Sequence, residues 1–182
     1  MVIALAGRRI DPSDANTPRF PLANTDLVRA RLRPVLGDPA ARALVASAAC
    51  GADLLAHELA GTFGLRRLVV LPFDVERFRA VSVVDRPGAW GTLFDRVVEE
   101  VTAAGDLVIL RAAPTDAESF AAANDRILYE ANRLALEQAP ATWRVLALAV
   151  WEGRARGPGD TTAAFLAAAR ARGFATADVL TQ

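Results

Sequence analysis

The stretch ALVASAACGADLLAHELA, residues Ala43 to Ala60, decides the fold of this chain. It begins with the apolar run Ala43–Ala46, passes through small residues, and resumes as a helical pattern at Ala52. This order predicts a strand, a tight turn and a helix N-terminus, which is the arrangement that α/β proteins use to hold anions and nucleotides. An ordinary strand-to-helix corner, built of small residues for packing, is the alternative.

The small side chains of the turn would let a ligand approach the backbone, whose free N–H groups point outward at a helix start. Asp53, in the first helical turn, could cap those N–H groups or accept a hydrogen bond from a ribose hydroxyl. The candidate ligand-binding residues of this segment are Ser47, Ala49, Cys50, Gly51 and Asp53.

Strand and helix patterns alternate along the whole chain. Short apolar runs predict further strands at Val2–Ala6, Arg67–Leu71, Asp106–Leu110, Val145–Val150 and Ala175–Leu180. Helical patterns occupy Asp26–Val35, Asp74–Arg79, Trp90–Thr102, Phe120–Glu137 and Thr161–Arg172. This alternation at crossover spacing predicts one α/β domain over residues 1–182, a Rossmann-like, doubly wound, mostly parallel sheet with helices on both faces.

Composition excludes several classes of chemistry. The 21 basic residues are all arginine, so no Schiff-base or P-loop lysine exists. With one cysteine and one histidine, intrachain disulfides and the usual Cys/His zinc sites are excluded. An all-carboxylate metal site is the alternative, but no ligand spacing suggests one, and we expect neither a metal nor a cofactor. The net charge of zero gives no field to attract nucleic acid. No apolar run suits a signal peptide or a membrane span, so we expect a soluble, cytoplasmic, bacterial protein.

Nucleophilic catalysis is not supported by the cysteine and the histidine. Cys50 lies in a turn at a helix N-terminus, where a thiolate would be stabilised. His57, however, follows seven residues later on the same helix and lies too far along it to serve as the base. We therefore predict that the side chain of Cys50 packs, that His57 is structural or partly exposed, and that the chain has no catalytic residue.

The segments that follow the predicted strands carry arginines and glycines. Open parallel sheets bind ligands at the carboxyl ends of their strands, near the point where strand order reverses. Gly7, Arg8 and Arg9 follow the first strand, where the arginines could clamp a phosphate or a base edge or could simply be solvated. Gly159, Asp160 and Thr161 precede a helix start and predict a second anion cradle, with a plain N-cap as the alternative.

Two further residues complete the candidate set. Arg77 follows the third strand beside Phe78, and the pair could bind and stack on a base, although Phe78 could equally fill the core. Asn124, early in the long helix, could turn its amide toward the same edge or could be an exposed helix residue.

The segment SAACGADLLAHELA, Ser47–Ala60, resembles the Ser-Gly-x-Ala-x-Gly-x-Asp-x-x-Ala-His signature of the DNA-processing Smf proteins of natural transformation. Those proteins belong to the Rossmann-like SLOG superfamily, together with the lonely-guy phosphoribohydrolases that activate cytokinins. The segments GRRID, VVLPF, AANDRIL and WEGRARGPGDTTAAF are similar to stand-alone or signalling-associated members of that superfamily. The resemblance covers nearly the whole chain in order.

The resemblance implies a nucleotide or nucleotide-derived ligand held by Gly7–Arg9, Ala49–Asp53 and Gly157–Thr162. Several branches of the superfamily are thought to be ligand sensors, so our first hypothesis is a sensor or regulatory module that binds without turnover. Relatives also suggest a homodimer and a fused or genetically linked effector. Nucleic acid is not expected as a partner, because single-strand binding needs a basic groove and this chain is neutral.

An enzymatic alternative depends on PGAWGTLFD, Pro87–Asp95, which resembles the catalytic Pro-Gly-Gly-x-Gly-Thr-x-x-Glu motif of the phosphoribohydrolases. Ala89 replaces a glycine and Asp95 replaces the glutamate, so we interpret the match as coincidental. In that alternative, a nucleoside-monophosphate N-glycosidase, Asp95 or Asp53 would stabilise an oxocarbenium-like centre while Arg77 or Arg79 gripped the phosphate. An interaction module with an empty pocket is the third hypothesis.

Overall fold

The computed structural model describes residues 1–138 and 144–182, and a six-stranded sheet forms its centre. The strands are β1 (Val2–Gly7), β2 (Ala43–Ala46), β3 (Arg66–Leu71), β4 (Leu107–Ile109), β5 (Val145–Trp151) and β6 (Ala175–Leu180). They lie in the order β4-β3-β2-β1-β5-β6, and each neighbouring pair is parallel. The prediction of a doubly wound α/β fold is confirmed, with a sheet that is parallel throughout.

Helices cover both faces of this sheet. They are α1 (Thr25–Leu36), α2 (Ala52–Thr62), α3 (Val75–Ser82), α4 (Trp90–Ala103), α5 (Asp116–Gln138) and α6 (Thr161–Ala171), with a short 3-10 turn at Leu22–Asn24. Side chains of β1 alternate between two apolar cores, because successive strand residues point to opposite faces. Ile3 and Leu5 pack with residues of α1, α2 and α4, whereas Val2 and Ala4 pack with residues of α5 and α6.

Strand β1 lies at the centre and defines the edge at which a ligand would bind. It pairs with β2 from Val2 opposite Ala43 and with β5 as far as Gly7 opposite Val150. Strand order reverses between β1 and β5, which is the switch point of an open parallel sheet. The segments that follow β1, β2, β3 and β5 therefore meet at one edge.

Helix boundaries differ from the sequence prediction where a cap is present. Helix α5 begins at Asp116 and not at Phe120, because Thr115 and Glu118 form a reciprocal cap: the Thr115 amide donates to the Glu118 carboxylate at 3.0 Å, and the Glu118 amide to the Thr115 hydroxyl at 3.2 Å. Helix α3 runs to Ser82, beyond the predicted helical turn. Asp74 caps its N-terminus by accepting a hydrogen bond from the backbone amide of Arg77. Within residues 1–138 and 144–182, no helix is long and apolar enough to cross a bilayer.

Candidate functional site

A cavity of about 440 Å³ lies at the carboxyl edge of the sheet, beside the switch point. Eight of the residues singled out from the sequence line it: Gly7, Arg8, Arg9, Ser47, Ala49, Asp53, Asn124 and Thr161. Five others are not among its lining residues: Cys50, Gly51, Arg77, Gly159 and Asp160. The fold thus brings most of the candidate residues together around one cavity, whereas the other five do not line it.

Two of the candidate glycines are explained by backbone packing. A Cβ atom on Gly7 would lie 2.3 Å from the Cβ of Ala52, so only glycine lets the end of β1 touch the start of α2. Gly51 has a φ of 97°, and a Cβ there would lie 2.9 Å from the amide nitrogen of Ile10. These close approaches bring the segment after β1 against the turn before α2, which forms one side of the cavity.

The expectation of free, outward-pointing amides at this turn is wrong for much of it. The amide of Cys50 donates to the carbonyl of Ser82 at 3.0 Å, and that of Ala52 donates to the carbonyl of Arg8 at 3.2 Å. The amide of Ala49 donates to the carboxylate of Asp53 at 3.2 Å. The turn is therefore tied to its own surroundings, and its side chains carry more of the chemistry than its backbone.

Asp53 is the buried carboxyl of the cavity, with 6% of its surface exposed. Its Oδ2 accepts the Ala49 amide, and no protein donor reaches Oδ1 within the described residues. Desolvation raises the pKa of Asp53 from an ordinary 3.8 to about 7, although the Ala49 hydrogen bond and the charge of Arg9 oppose the rise. At neutral pH this carboxyl therefore exchanges between a hydrogen-bond acceptor and a donor.

Arg8 is committed to two buried carboxylates, which corrects its expected role as a free anion clamp. Its guanidinium donates to Glu152 at 2.6 and 3.1 Å and to Asp160 at 2.7 and 2.8 Å, and it lies 5.7 Å from the ring centroid of Trp151. Only 5% of the Arg8 surface is exposed. Arg8 thus fixes the segment after β1 to the segment after β5.

Asp160 fills the second anion cradle that the sequence predicted. Its Oδ1 accepts the amides of Thr162 and Ala163, at 3.0 and 3.2 Å, and therefore caps α6. Burial alone would raise the pKa of Asp160, but the Arg8 guanidinium and the capping amides hold it well below its usual range. The N-cap alternative is the observed one, so this helix start already holds the chain's own anion.

Arg9 turns the other way from Arg8, toward the end of α3. It donates to the carbonyl of Val81 and to the carboxylate of Asp85, each at 2.6 Å. Arg86 contacts the same Asp85 oxygen at 3.0 Å. The side chains of these three charged residues are each between 25% and 29% exposed, so the cluster lies at the cavity mouth with one carboxylate for two cations.

The lining of the cavity contains five arginines and two carboxyl side chains. Arg19 and Arg86 line the cavity but are not among the residues predicted from the sequence. Both lie in irregular segments after an element that ends at the carboxyl edge, and that position was the available signal. Arg19 approaches Glu152 only at 3.6 Å and is 35% exposed, so its guanidinium is weakly engaged. The lining arginines are Arg8, Arg9, Arg19, Arg86 and Arg156.

An apolar wall faces these charges. Phe78, Phe120 and Ile127 contribute to it. Phe78 is fully buried and stacks on Phe94 with a centroid distance of 6.0 Å, so it fills the core as well as lining the cavity. Arg77 lies elsewhere: its guanidinium is 4.3 Å from the ring centroid of Phe73 and pairs with Asp116.

Asn124 and Thr161 connect α5 to α6 at the cavity. The Asn124 side-chain amide donates to the Thr161 carbonyl at 3.0 Å, and Asn124 is half-buried rather than an exposed helix residue. This bond holds the amide in place beside the cavity, where its oxygen can accept from a ligand.

The histidine and the cysteine are structural. Burial raises the pKa of the Cys50 thiol to about 11, so no thiolate forms at this helix start. Burial also lowers the pKa of His57 to about 4, and the neutral ring donates from Nε2 to the Ser47 carbonyl at 2.9 Å. The predicted packing role of Cys50 is confirmed, and His57 is the structural residue of the two alternatives.

Asp95 lies apart from the cavity lining, exposed on α4 and bonded to Arg79 at 2.8 and 2.9 Å. Within the described residues, no group of three or more histidine, cysteine, aspartate or glutamate side chains could hold a metal ion. No protein-family model matches the chain, and no curated protein is significantly similar to it. The site must therefore be interpreted from its own geometry.

Proposed function

We propose that this protein binds a nucleotide-derived small molecule in the cavity at the carboxyl edge of the sheet, and that it acts as a sensor or regulatory module. Asp53 carries the proposal. It is a buried carboxyl that lines a cavity of about 440 Å³, with one oxygen bonded to the Ala49 amide and the other without a donor among the described residues. Because Asp53 lines the cavity, a ligand hydroxyl or amine could donate to this oxygen.

The three kinds of surface in the cavity match the three parts of a nucleotide. Phe120 and Ile127 offer an apolar wall to a base, Asp53 can accept from a ribose hydroxyl, and the arginines at the mouth can bind phosphate. The volume falls within the roughly 300–1,000 Å³ typical of small-molecule sites. The resemblance of Ser47–Ala60 to SLOG proteins supports the same ligand class.

Binding without turnover is favoured by how the lining carboxyls are used. Asp11, the other aspartate of the lining, accepts the amides of Arg19 and Phe20 at 2.7 and 2.9 Å. Among the described residues that line the cavity, Asp53 therefore has no second free carboxyl with which to share acid and base roles, as acid–base catalysis of glycoside cleavage ordinarily requires.

A second candidate, nucleoside-monophosphate N-glycosidase, is favoured by one observation. A pKa of about 7 leaves Asp53 partly protonated at neutral pH, and such a carboxyl can protonate a departing base. The arginines assigned to the phosphate in that hypothesis, Arg77 and Arg79, are absent from the cavity lining. The enzyme would have to use the arginines of the mouth instead.

One experiment separates these candidates. The protein is incubated with adenine and guanine mononucleotides, ADP-ribose and cyclic nucleotides, and bound and free material are separated and identified by chromatography. Intact nucleotide retained by the wild type and lost in Asp53→Asn supports the sensor. Free base released with turnover supports the glycosidase. Asp95→Asn is the control: it removes an exposed carboxylate outside the lining and should change neither result.

Retention that persists in Asp53→Asn would contradict the proposed role of the cavity. If neither protein retains a nucleotide and no free base is released, both nucleotide hypotheses are rejected for this panel and the interaction module is the better description.

A further inference from the structure

The cluster Arg9, Asp85 and Arg86 at the cavity mouth has a charge arrangement that a simple structural ion pair does not need. Two guanidiniums share one carboxylate oxygen, at 2.6 and 3.0 Å, and carry a net positive charge. All three side chains are partly exposed, and both arginines line the cavity. Arg9 is also close enough to Asp53 for its charge to influence the pKa of that carboxyl. An anion placed between the arginines would therefore lie in the cavity that Asp53 also lines.

We propose that Asp85 acts as an internal substitute for the ligand's phosphate. In this arrangement the phosphate of a ligand replaces Asp85 as the partner of Arg9 and Arg86, which a free nucleoside could not do. The displaced carboxylate then no longer holds the segment of residues 83–89 that carries it. The inference deepens the proposed function and rests on it, because it assigns the ligand's anionic group to one end of the cavity and couples its binding to the segment that carries Asp85.

The chemistry of the exchange favours phosphate. A phosphate dianion offers three acceptor oxygens to two guanidiniums, whereas Asp85 bonds both through a single oxygen. Arg8, on the other side of the cavity, is less suited to such an exchange, because the two carboxylates that bind it are themselves almost fully buried. Displacing them would leave uncompensated buried charges.

The segment that carries Asp85 is placed to report the exchange. It begins directly after α3, whose last residue, Ser82, accepts the amide of Cys50 from the turn before α2 at 3.0 Å. It ends at α4, whose Trp90 donates to the carbonyl of Pro87 at 2.9 Å. Arg9 also holds the carbonyl of Val81, so one side chain fixes both the end of α3 and the segment beyond it. When Arg9 no longer pairs with Asp85, the segment beyond α3 loses its link through Arg9 to the end of that helix.

The test uses inorganic pyrophosphate as the probe and calorimetry as the measurement. Asp85→Asn removes the competing charge, and we expect pyrophosphate to bind about fivefold more tightly than to the wild type, as the loss of a partly exposed ion pair predicts. Arg9→Gln and Arg86→Gln should each weaken binding. Asp95→Asn frees Arg79 from a comparable ion pair outside the cavity and should leave the affinity unchanged.

Hydrogen exchange supplies a second readout. Residues 83–89 should exchange faster when pyrophosphate is bound to the wild type, and equally fast in Asp85→Asn without it. Unchanged or weaker binding by Asp85→Asn would overturn the proposal, since Asp85 would then position the arginines instead of competing for them. A lack of pyrophosphate binding to every variant would overturn it as well.

The outcomes remain distinct from those of the proposed function. Pyrophosphate binding that responds to Asp85, with no nucleotide retained from the panel, would contradict the nucleotide hypothesis and keep the exchange. Asp53-dependent retention of a nucleotide that is indifferent to Asp85→Asn would contradict the exchange alone.

Discussion

The guanidinium of Arg8 and the carboxylate of Asp160 are joined by two hydrogen bonds, of 2.7 and 2.8 Å, and both side chains are at most 5% exposed. The bond connects the residue after β1 with the N-cap of α6, two positions far apart in the chain. Glu152, after β5, completes the cluster. One side of the cavity is therefore held by buried charge, whereas the Arg9 side is held by partly exposed charge.

We predict that Asp160→Asn lowers the free energy of unfolding by about 3 kcal/mol, because a neutral amide replaces the carboxylate that accepts two charge-assisted hydrogen bonds from the buried Arg8 guanidinium. The exposed pair of Asp125 with Arg172 provides the control, and Asp125→Asn should change stability by no more than about 0.5 kcal/mol. Urea unfolding followed by circular dichroism measures both. Equal effects of the two substitutions would show that the Arg8 cluster contributes nothing beyond a surface pair.

Two buried groups, Asp53 and His57, should change the stability of the fold with pH in opposite directions. The folded pKa of Asp53, about 7, lies above its ordinary 3.8, so its contribution is fully present below pH 3.8 and is lost as pH rises to 7. The folded pKa of His57, about 4, lies below its ordinary 6.5, so its contribution is present above pH 6.5 and is lost as pH falls to 4. Between pH 4 and 6.5 the two slopes oppose each other.

Asp53→Asn removes one of these slopes. In the wild type the contributions of Asp53 and His57 to stability nearly cancel between pH 4 and 6.5. In the variant only the His57 contribution is left, so we expect its stability to rise over this range by about 1 kcal/mol per pH unit relative to the wild type. Denaturant unfolding at half-unit pH intervals tests this difference. Parallel curves for the two proteins would mean that Asp53 titrates near its ordinary value in the folded state.

Gly7→Ala should destabilise the fold by about 2–3 kcal/mol, because its new Cβ would lie 2.3 Å from that of Ala52 and force the end of β1 away from α2. Gly64→Ala is the matched control: Gly64 has a φ of 69° but no atom within 4 Å of an added Cβ, so only backbone strain of about 1 kcal/mol is expected. Thermal unfolding compares the two. A cost at Gly7 no greater than at Gly64 would contradict the close approach.

The thiol of Cys50 provides a test that needs no substitution, since the chain has one cysteine. Its side chain is completely buried and burial raises its pKa to about 11. A thiol-reactive disulfide reagent at pH 8 should therefore react only at the rate of unfolding, and rapidly in denaturant. Fast, stoichiometric reaction with the native protein would show that the turn before α2 opens readily.

The fold was predictable because apolar runs and helical patterns are local signals. Val2–Ala6 and Val145–Val150 are apolar throughout because both faces of those strands are covered, and the structure has them as the adjacent strands β1 and β5. The prediction that Asp160 could serve as an N-cap also held, because capping depends on the next few residues alone.

The candidate site was only partly predictable, because side-chain partners are set by contacts between distant segments. Nothing near Arg8 in the chain shows that Glu152 and Asp160 surround it, or that Arg9 turns toward Asp85. Arg77 was predicted to bind a ligand because it follows a strand. Its side chain instead pairs with Asp116 and does not line the cavity. Arg86 was not singled out, although it lines the cavity.

The central position of β1 also determines the order in which the sheet can assemble. Val2 lies opposite Val145, so β1 gains one of its two neighbours only by pairing with a segment that is distant in the chain. Until then one edge of β1 carries unpaired backbone groups and exposed apolar side chains. Contacts of such long sequence separation slow folding, because a long loop must close before they form. The edge that lines the cavity therefore depends on one of the pairings of greatest sequence separation in the sheet.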